Sequence, residues 1–269
     1  MATVLLISSQ VAASRVGASA GQFVLQRMGH ETLVLPTVLL GRHPGWGAPG
    51  GGAVGTDHLA SMWEAVRAQD LHIDAVLTGY FAEPSQVELA ARIVDEVRPA
   101  TVMCDPVIGD DGGLYVAEAV ARAIRDRLVP RAHIVTPNLW EFGWLGGDLS
   151  DAVASARALA RSALVTSWPD GPDRIGALHV DADGAREVHH ERFAEVPHGG
   201  GDTLAALWLA HHLNGAGAED ALAKSVGSVV ALLRGTLTDA KFSKDRGELQ
   251  LARDQRALIH PDDLEVHHV

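Results

Sequence analysis

Three glycines and an aspartate, Gly199-Gly200-Gly201-Asp202, stand directly before the apolar run Thr203-Leu-Ala-Ala-Leu-Trp-Leu-Ala210. Glycines let a backbone approach a ligand closely and adopt positive φ. Their N–H groups, with a helix start behind them, favour developing negative charge. An aspartate there suits a poor anion binder but a good proton acceptor for an attacking hydroxyl. Donors for a migrating phosphoryl group beside a base for its nucleophile are what phosphoryl transfer needs. A glycine loop closed by an aspartate N-cap would carry the same residues.

A second candidate is Thr136-Pro137-Asn138-Leu139-Trp140-Glu141, after a short apolar run and before a helical one. Asn138 and Glu141 are three apart and share one helical face near its start. An amide and a carboxylate there can hold the waters of a Mg²⁺ ion, which keeps much of its hydration shell. A capping pair is the plainer reading of the same spacing. A third acidic stretch, Cys104-Asp105-Pro106-Val107-Ile108-Gly109-Asp110, also follows an apolar run.

These residues need elements to hold them. Strands are predicted at Val4–Ile7, Thr32–Leu35, Ala75–Thr78, Thr101–Cys104, His133–Val135 and Leu164–Thr166. Helices are predicted at Ser19–Met28, Asp57–Gln69 with Asp57 as N-cap, Pro84–Val97, Ala117–Leu128 and Ser150–Arg161 with Ser150 as cap. A glycine-rich loop is expected over Gly41–Gly55, and a hairpin of Ala177–Val180 with Glu187–Phe193 around Asp181–Gly184. Helices Asp202–Leu213, Glu219–Leu233 and Glu248–Leu258 complete the reading.

Strands alternating with helices predict an α/β fold in three layers, a mostly parallel sheet with an antiparallel hairpin at one edge. No Pro/Ser-rich linker divides the chain, so residues 1–269 are expected to form a single domain. Ligands of such sheets sit beyond the carboxyl ends of the strands. The loops after Ile7, Thr78, Cys104, Val135 and Thr166 and the turn at Asp202 therefore matter most.

Composition narrows the partners. The chain has 269 residues, 47% hydrophobic and 21% charged, with a formal charge of −12. That charge argues against nucleic acid or an anionic membrane, and leaves room for a local phosphate site made of backbone N–H groups. No apolar stretch approaches the roughly 20 residues that span a bilayer. One cysteine, Cys104, excludes an internal disulfide framework and suits a cytoplasmic protein.

With these residues in place, the chain resembles the pyridoxal (vitamin B6) kinases of the ribokinase superfamily. Gly199-Gly-Gly-Asp202 is similar to the superfamily's GTGD-type anion hole, and Asn138-x-x-Glu141 to its NxxE motif. Ile7-Ser-Ser-Gln-Val11 with Val16-Gly-Ala-Ser-Ala20, and Leu77-Thr-Gly-Tyr80, resemble the subfamily. So do Cys104–Asp110 with Gly113-Leu-Tyr-Val116, Thr136-Pro-Asn138 and Val165-Thr166-Ser167. Glu248-Leu-Gln-Leu251 resembles its closing helix.

The resemblance implies ATP and Mg²⁺, with a monovalent cation such as K⁺, a B6 vitamer as substrate, and a homodimer. Asp202 would deprotonate the 5′-hydroxymethyl group while Gly199, Gly200 and Gly201 hold the phosphoryl. Asp105, Thr136, Asn138, Glu141, Thr166 and Ser167 would line the nucleotide side. Asp105, Asn138 and Glu141 would hold Mg²⁺ through water. Ser9, His43, Trp46 and Tyr80 would meet the vitamer.

The chain departs from the family where it reads Arg42-His43-Pro44-Gly45-Trp46 instead of roughly Asn-His-Thr-Gly-Tyr. Pro44 removes a hydroxyl and an N–H from that stretch. Gln10 stands where His is usual, Ala18 where Asn is usual, and Gly200 where Thr or Val is common. A kinase of hydroxymethylpyrimidine or of a sugar-like alcohol, and a non-catalytic vitamer-binding protein, are the alternatives these departures keep open.

Other patterns carry less. Gly17-Ala-Ser19-Ala-Gly21 fits G-x-S-x-G, but Ser19 lies too far from the preceding strand for a nucleophile elbow. Gly50-x-Gly52-x-x-Gly55 follows no strand closely, so a loop is expected. No GxxxxGK[ST] occurs. His189-His190, His211-His212 and His267-His268 are adjacent and do not share a helical face, which reads as surface or packing. Trp140 and Trp144 read as core.

Overall fold

The apolar run Val4–Ile7 must be covered on both faces, and it lies third from one edge of a ten-stranded sheet with every side chain at most 2% exposed. This arrangement is seen in a computed structural model, which describes residues 1–238 and 247–269.

The elements run β1 (Thr3–Val11), α1 (Ala18–Arg27), β2 (Glu31–Leu40), β3 (Gly51–Ala53), α2 (Thr56–Arg67), β4 (Ala75–Thr78) and α3 (Pro84–Val97). They continue with β5 (Thr101–Cys104), a two-strand ribbon of β6 (Gly109–Asp110) and β7 (Gly113–Leu114), α4 (Glu118–Ala123), β8 (Ile134–Val135), α5 (Leu139–Trp144) and α6 (Ala152–Leu159). The last part holds β9 (Ser162–Asp170), β10 (Arg174–Asp181), β11 (Gly184–Glu191), α7 (Gly200–Leu213), α8 (Ala218–Leu237) and β12 (Val266–His268).

The sheet order is β12-β11-β10-β9-β8-β5-β4-β1-β2-β3. The strands from β9 to β2 pair in parallel, while β3 closes one edge and β10–β12 the other in antiparallel fashion. Alternation along β1 assigns its side chains to two cores. Leu5 and Ile7 pack with α2 to α6; Val4 and Leu6 pack with α1, α7 and α8. The three-layer α/β fold is therefore as expected.

Several local expectations need correction. Helix α2 starts one residue earlier than Asp57, with Gly55 in the cap position, because Asp57 lies within the first turn. The cap of α6 is Asp151, which accepts from Ala154 N at 3.3 Å; Ser150 instead donates to Asp148. The stretch 41–55 is not wholly loop, since Gly51–Ala53 pairs with β2. Beyond Ala123 the predicted helix widens into π-type turns over Ile124–Leu128.

Within the described residues 247–258 there is no closing helix. Residues 247–250 hold no helix and bridge to His198 through Glu248, a turn follows over 251–253, and only Gln255–Leu258 forms a short 3₁₀ turn. Leu249 and Leu251, each 1% exposed, both reach the core from this strap. Their spacing of two suits an extended chain, not a helical face. His267 and His268 lie in β12, an edge strand that no pattern announced.

Candidate active site

Parallel strands place their carboxyl ends on one edge, and the start of α7 comes to the same edge. A cleft of about 520 Å³ opens there. From the strand ends it is lined by Ser9, Tyr80, Asp105, Thr136 and Thr166. Asn138 and Glu141 come from α5, and Gly199, Gly201 and Asp202 from the start of α7. His43 enters from the loop after β2.

Three of the expected residues are not on the wall. Trp46 ends a 3₁₀ turn, Pro44–Trp46, whose Pro44 and Gly45 face the cleft instead. Ser167 is exposed, at φ 57, beside the irregularity where β9 pairs with β10. Gly200 is the first residue of α7 and contributes no surface to the wall.

Of the three glycines, Gly199 alone has positive φ, at 94°. A Cβ there would also collide with the Arg15 carbonyl oxygen, so the position requires glycine. Gly200 and Gly201 have open space around a Cβ and belong to the helix proper. The N–H groups of a helix's first turn lack intrahelical acceptors and can receive an anion. Asp202 is thus a first-turn residue, and the cap is Gly199.

Asn138 and Glu141 form a reciprocal capping box. Asn138 Oδ1 accepts from Glu141 N at 2.9 Å, and Glu141 Oε2 accepts from Asn138 N at 2.9 Å. Glu141 Oε1 also accepts from Ile108 N at 2.8 Å and Gly109 N at 3.3 Å, while Asn138 Nδ2 donates to Gly109 O at 2.8 Å. The pair therefore locks the acidic loop to α5. Both the capping reading and the location beside the cleft hold.

Negative charge is concentrated here. Burial, then Asp202 and Glu141, push the Asp105 carboxyl well above its ordinary value, against a 3.0 Å hydrogen bond from Thr136 Oγ1. Burial raises Glu141 to about 7 even though three backbone amides favour its charged form. Asp202 is raised by burial and held back by the amides of Gly17 and of its own residue. The Tyr115 hydroxyl is pushed upward by burial and then by these carboxylates. Among the described residues, none of the three carboxylates has an Arg or Lys ion-pair partner.

Such a wall suits a hydrated cation. Direct coordination does not suit it: no three potential ligands group for that among the described residues, and the oxygens of Glu141 already serve backbone donors. Hard oxygen acceptors that meet Mg²⁺ through its own waters fit the arrangement.

Sequence reasoning missed three contributors. His198 lines the cleft and stacks on His43, with ring centroids 4.3 Å apart. Tyr115 reaches the carboxylates from the turn after β7. Gly17, at φ 55, lies so close to Ser9 that no Cβ fits. Gly17 and Tyr115 left a signal, inside the family-like stretches 16–20 and 113–116, and His198 left none.

The fold and this cleft define an α/β kinase of small molecules, and comparison with known proteins agrees. The family model for phosphomethylpyrimidine kinase matches residues 52–247. Pyridoxal kinase PdxY of Leifsonia xyli subsp. xyli is 36% identical over 96% of both chains. The pyridoxine/pyridoxal/pyridoxamine kinase of Bordetella avium is 35% identical, over 82% of this chain and 81% of its own. Pyridoxal kinase from Leishmania donovani, solved with ADP and pyridoxamine, superposes over the full length of both chains with a TM-score of 0.91 at 27% identity. The chain belongs to the pyridoxal kinases, within the phosphomethylpyrimidine kinase family.

Proposed function

We propose that this kinase moves the γ-phosphoryl group of ATP to the 5′-hydroxymethyl of pyridoxal, or of pyridoxine or pyridoxamine. The observation that carries the reading is Asp202, which faces the cleft from the same helix turn as the unpaired amides of α7. A carboxylate raised by burial is a better proton acceptor near neutrality than an exposed one. Asp202 takes the hydroxyl proton as the oxygen attacks, and the amides of Gly199, Gly200 and Gly201 hold the phosphoryl oxygens.

Thr136, Thr166 and Ser167 meet the nucleotide in this reading. Asp105, Asn138 and Glu141 accept from the waters of Mg²⁺, which neutralises phosphate charge when bound. Ser9, His43 and Tyr80 face the vitamer, and Trp46 supports the loop that carries His43. A single domain over 1–269, a monovalent cation such as K⁺, a homodimer and a cytoplasmic setting complete the reading and rest on family membership. No helix among the described residues is long and apolar enough to cross a membrane.

Asp202→Asn tests the mechanism. General-base help is worth about 10²–10⁴-fold, so kcat for pyridoxal should fall by about two decades or more. Gly199 holds the cap position, so the thermal midpoint should hardly move. A variant that phosphorylates pyridoxal at the parent rate would overturn the role of Asp202.

A further inference from the structure

The strap that replaces the expected closing helix carries Glu248 into the interior, 6% exposed. A carboxyl group removed from water must find hydrogen-bond donors. Both oxygens of Glu248 find them on one distant loop, between β1 and α1. Oε1 accepts from the buried Ser14 hydroxyl, and Oε2 accepts from Arg15 N at 2.9 Å.

The backbone of the same strap grips the residue just before the glycine cap. His198 N donates to Gly247 O, and Leu249 N donates to His198 O at 3.2 Å. Gln250 N donates to Thr236 Oγ1 of α8 at 3.1 Å, which anchors the strap from behind. Glu248 thus joins two segments that both reach the surroundings of Asp202. From one segment comes Gly199 and the start of α7. From the other come the Arg15 carbonyl, packed where a Gly199 Cβ would be, and the Gly17 amide, which hydrogen-bonds Asp202.

We propose that Glu248 is a positioning residue for phosphoryl transfer. By holding Ser14 and Arg15 beside the His198–Gly199 turn, it fixes the Gly17 amide, and through it the orientation of the Asp202 carboxylate relative to the first amides of α7. The proposal rests on the reading of Asp202 and the glycines as the transfer machinery. A base and an anion site act together only when both are held within a fraction of an ångström of the productive geometry. Loosening their common clamp should therefore cost turnover more than it costs substrate binding.

The test uses Glu248→Gln and Ser14→Ala in the full chain. Glu248→Gln keeps the size and one acceptor, but turns an NH₂ group toward a donor. Its kcat for pyridoxal should fall by about 10- to 100-fold, with smaller changes in KM for ATP and pyridoxal. Ser14→Ala removes one of the two bonds and should lose less. Both should bind MgADP as the parent does, yet bind MgADP with aluminium fluoride and pyridoxal more weakly, because only the latter fills the anion site. A merely structural role would lower the thermal midpoint and leave that ratio unchanged.

Parent-like kcat in Glu248→Gln, or a parent-like aluminium fluoride ratio in both variants, would overturn the proposal. If Asp202→Asn is inactive while Glu248→Gln is fully active, this inference fails and the mechanism stands. If Asp202→Asn is active, the mechanism itself fails.

Discussion

His198 stacks on His43 across the mouth of the cleft, their ring centroids 4.3 Å apart and their planes tilted by 31°. The contact joins the residue before the glycine cap to the loop that carries Pro44. His43 also accepts from Gly45 N at 3.1 Å through Nδ1, which leaves its other nitrogen as the donor of the neutral ring. Burial, and then His198, hold His43 below its ordinary value, so the ring enters the cleft neutral at pH 7. Stacked ring pairs are worth about 1 kcal/mol beyond burial, so His198→Val should raise KM for pyridoxal about fivefold. Steady-state kinetics with pyridoxal as the varied substrate checks this; an unchanged KM would mean that the stack takes no part in holding the vitamer.

Pro44 opens the 3₁₀ turn of that loop, with His43 as its cap, and faces the cleft. Pro44→Thr restores a hydroxyl and an N–H without requiring a new turn. One neutral hydrogen bond to the vitamer is worth about 1 kcal/mol, so KM for pyridoxal should fall about fivefold. A KM that stays or rises would show that this loop is shaped around other contacts.

Glu141 is 3% exposed and serves three backbone donors at once. Glu141→Gln turns an NH₂ group toward one of them, which should cost about 1–3 kcal/mol and lower the thermal midpoint with or without Mg²⁺. A neutral amide also holds a hydrated cation less well, so half-maximal activity should require more Mg²⁺. Thermal melts and a Mg²⁺ titration of activity separate the two effects. A lowered midpoint with an unchanged titration would limit Glu141 to capping.

His179 does not line the cleft; it is 1% exposed in β10, with its ring 4.6 Å from that of Trp208 and Nε2 2.9 Å from Ser162 Oγ. Burial holds it down to about 4, although Asp181 pulls upward. In the unfolded chain it protonates near its ordinary 6.5. Between those values protons favour the unfolded state, so stability should fall as pH drops from about 6.5 towards 4. His179→Gln keeps a polar partner for Ser162 and removes the titration. Its thermal midpoint should therefore change less than the parent's between pH 7 and pH 5; an equal slope would assign the acid sensitivity to other groups.

Local chemistry determined much of this protein from sequence. The apolar runs of β1, β4 and β5 announce buried parallel strands, and the helical periodicity of α3 depends only on neighbours along the chain. The motif Gly199–Asp202 is legible for the same reason, because a glycine turn and a helix start are adjacent in sequence. The Asn138–Glu141 spacing allowed both a capping pair and a hydrated-cation site, and the fold shows the cap explicitly.

What remained hidden depends on partners far apart in the chain. Glu248 meets Ser14 across 234 positions, and this pairing, with the two buried leucines, turns a predicted helix into a non-helical strap. The stack of His198 on His43 has no periodicity to betray it, since the two come from separate loops. The high proton affinities of Asp105 and Glu141 likewise arise only once the fold brings the carboxylates together and removes their water. Sequence sets what each segment can do alone; only tertiary packing chooses the desolvation and the distant donors that make one cleft of them.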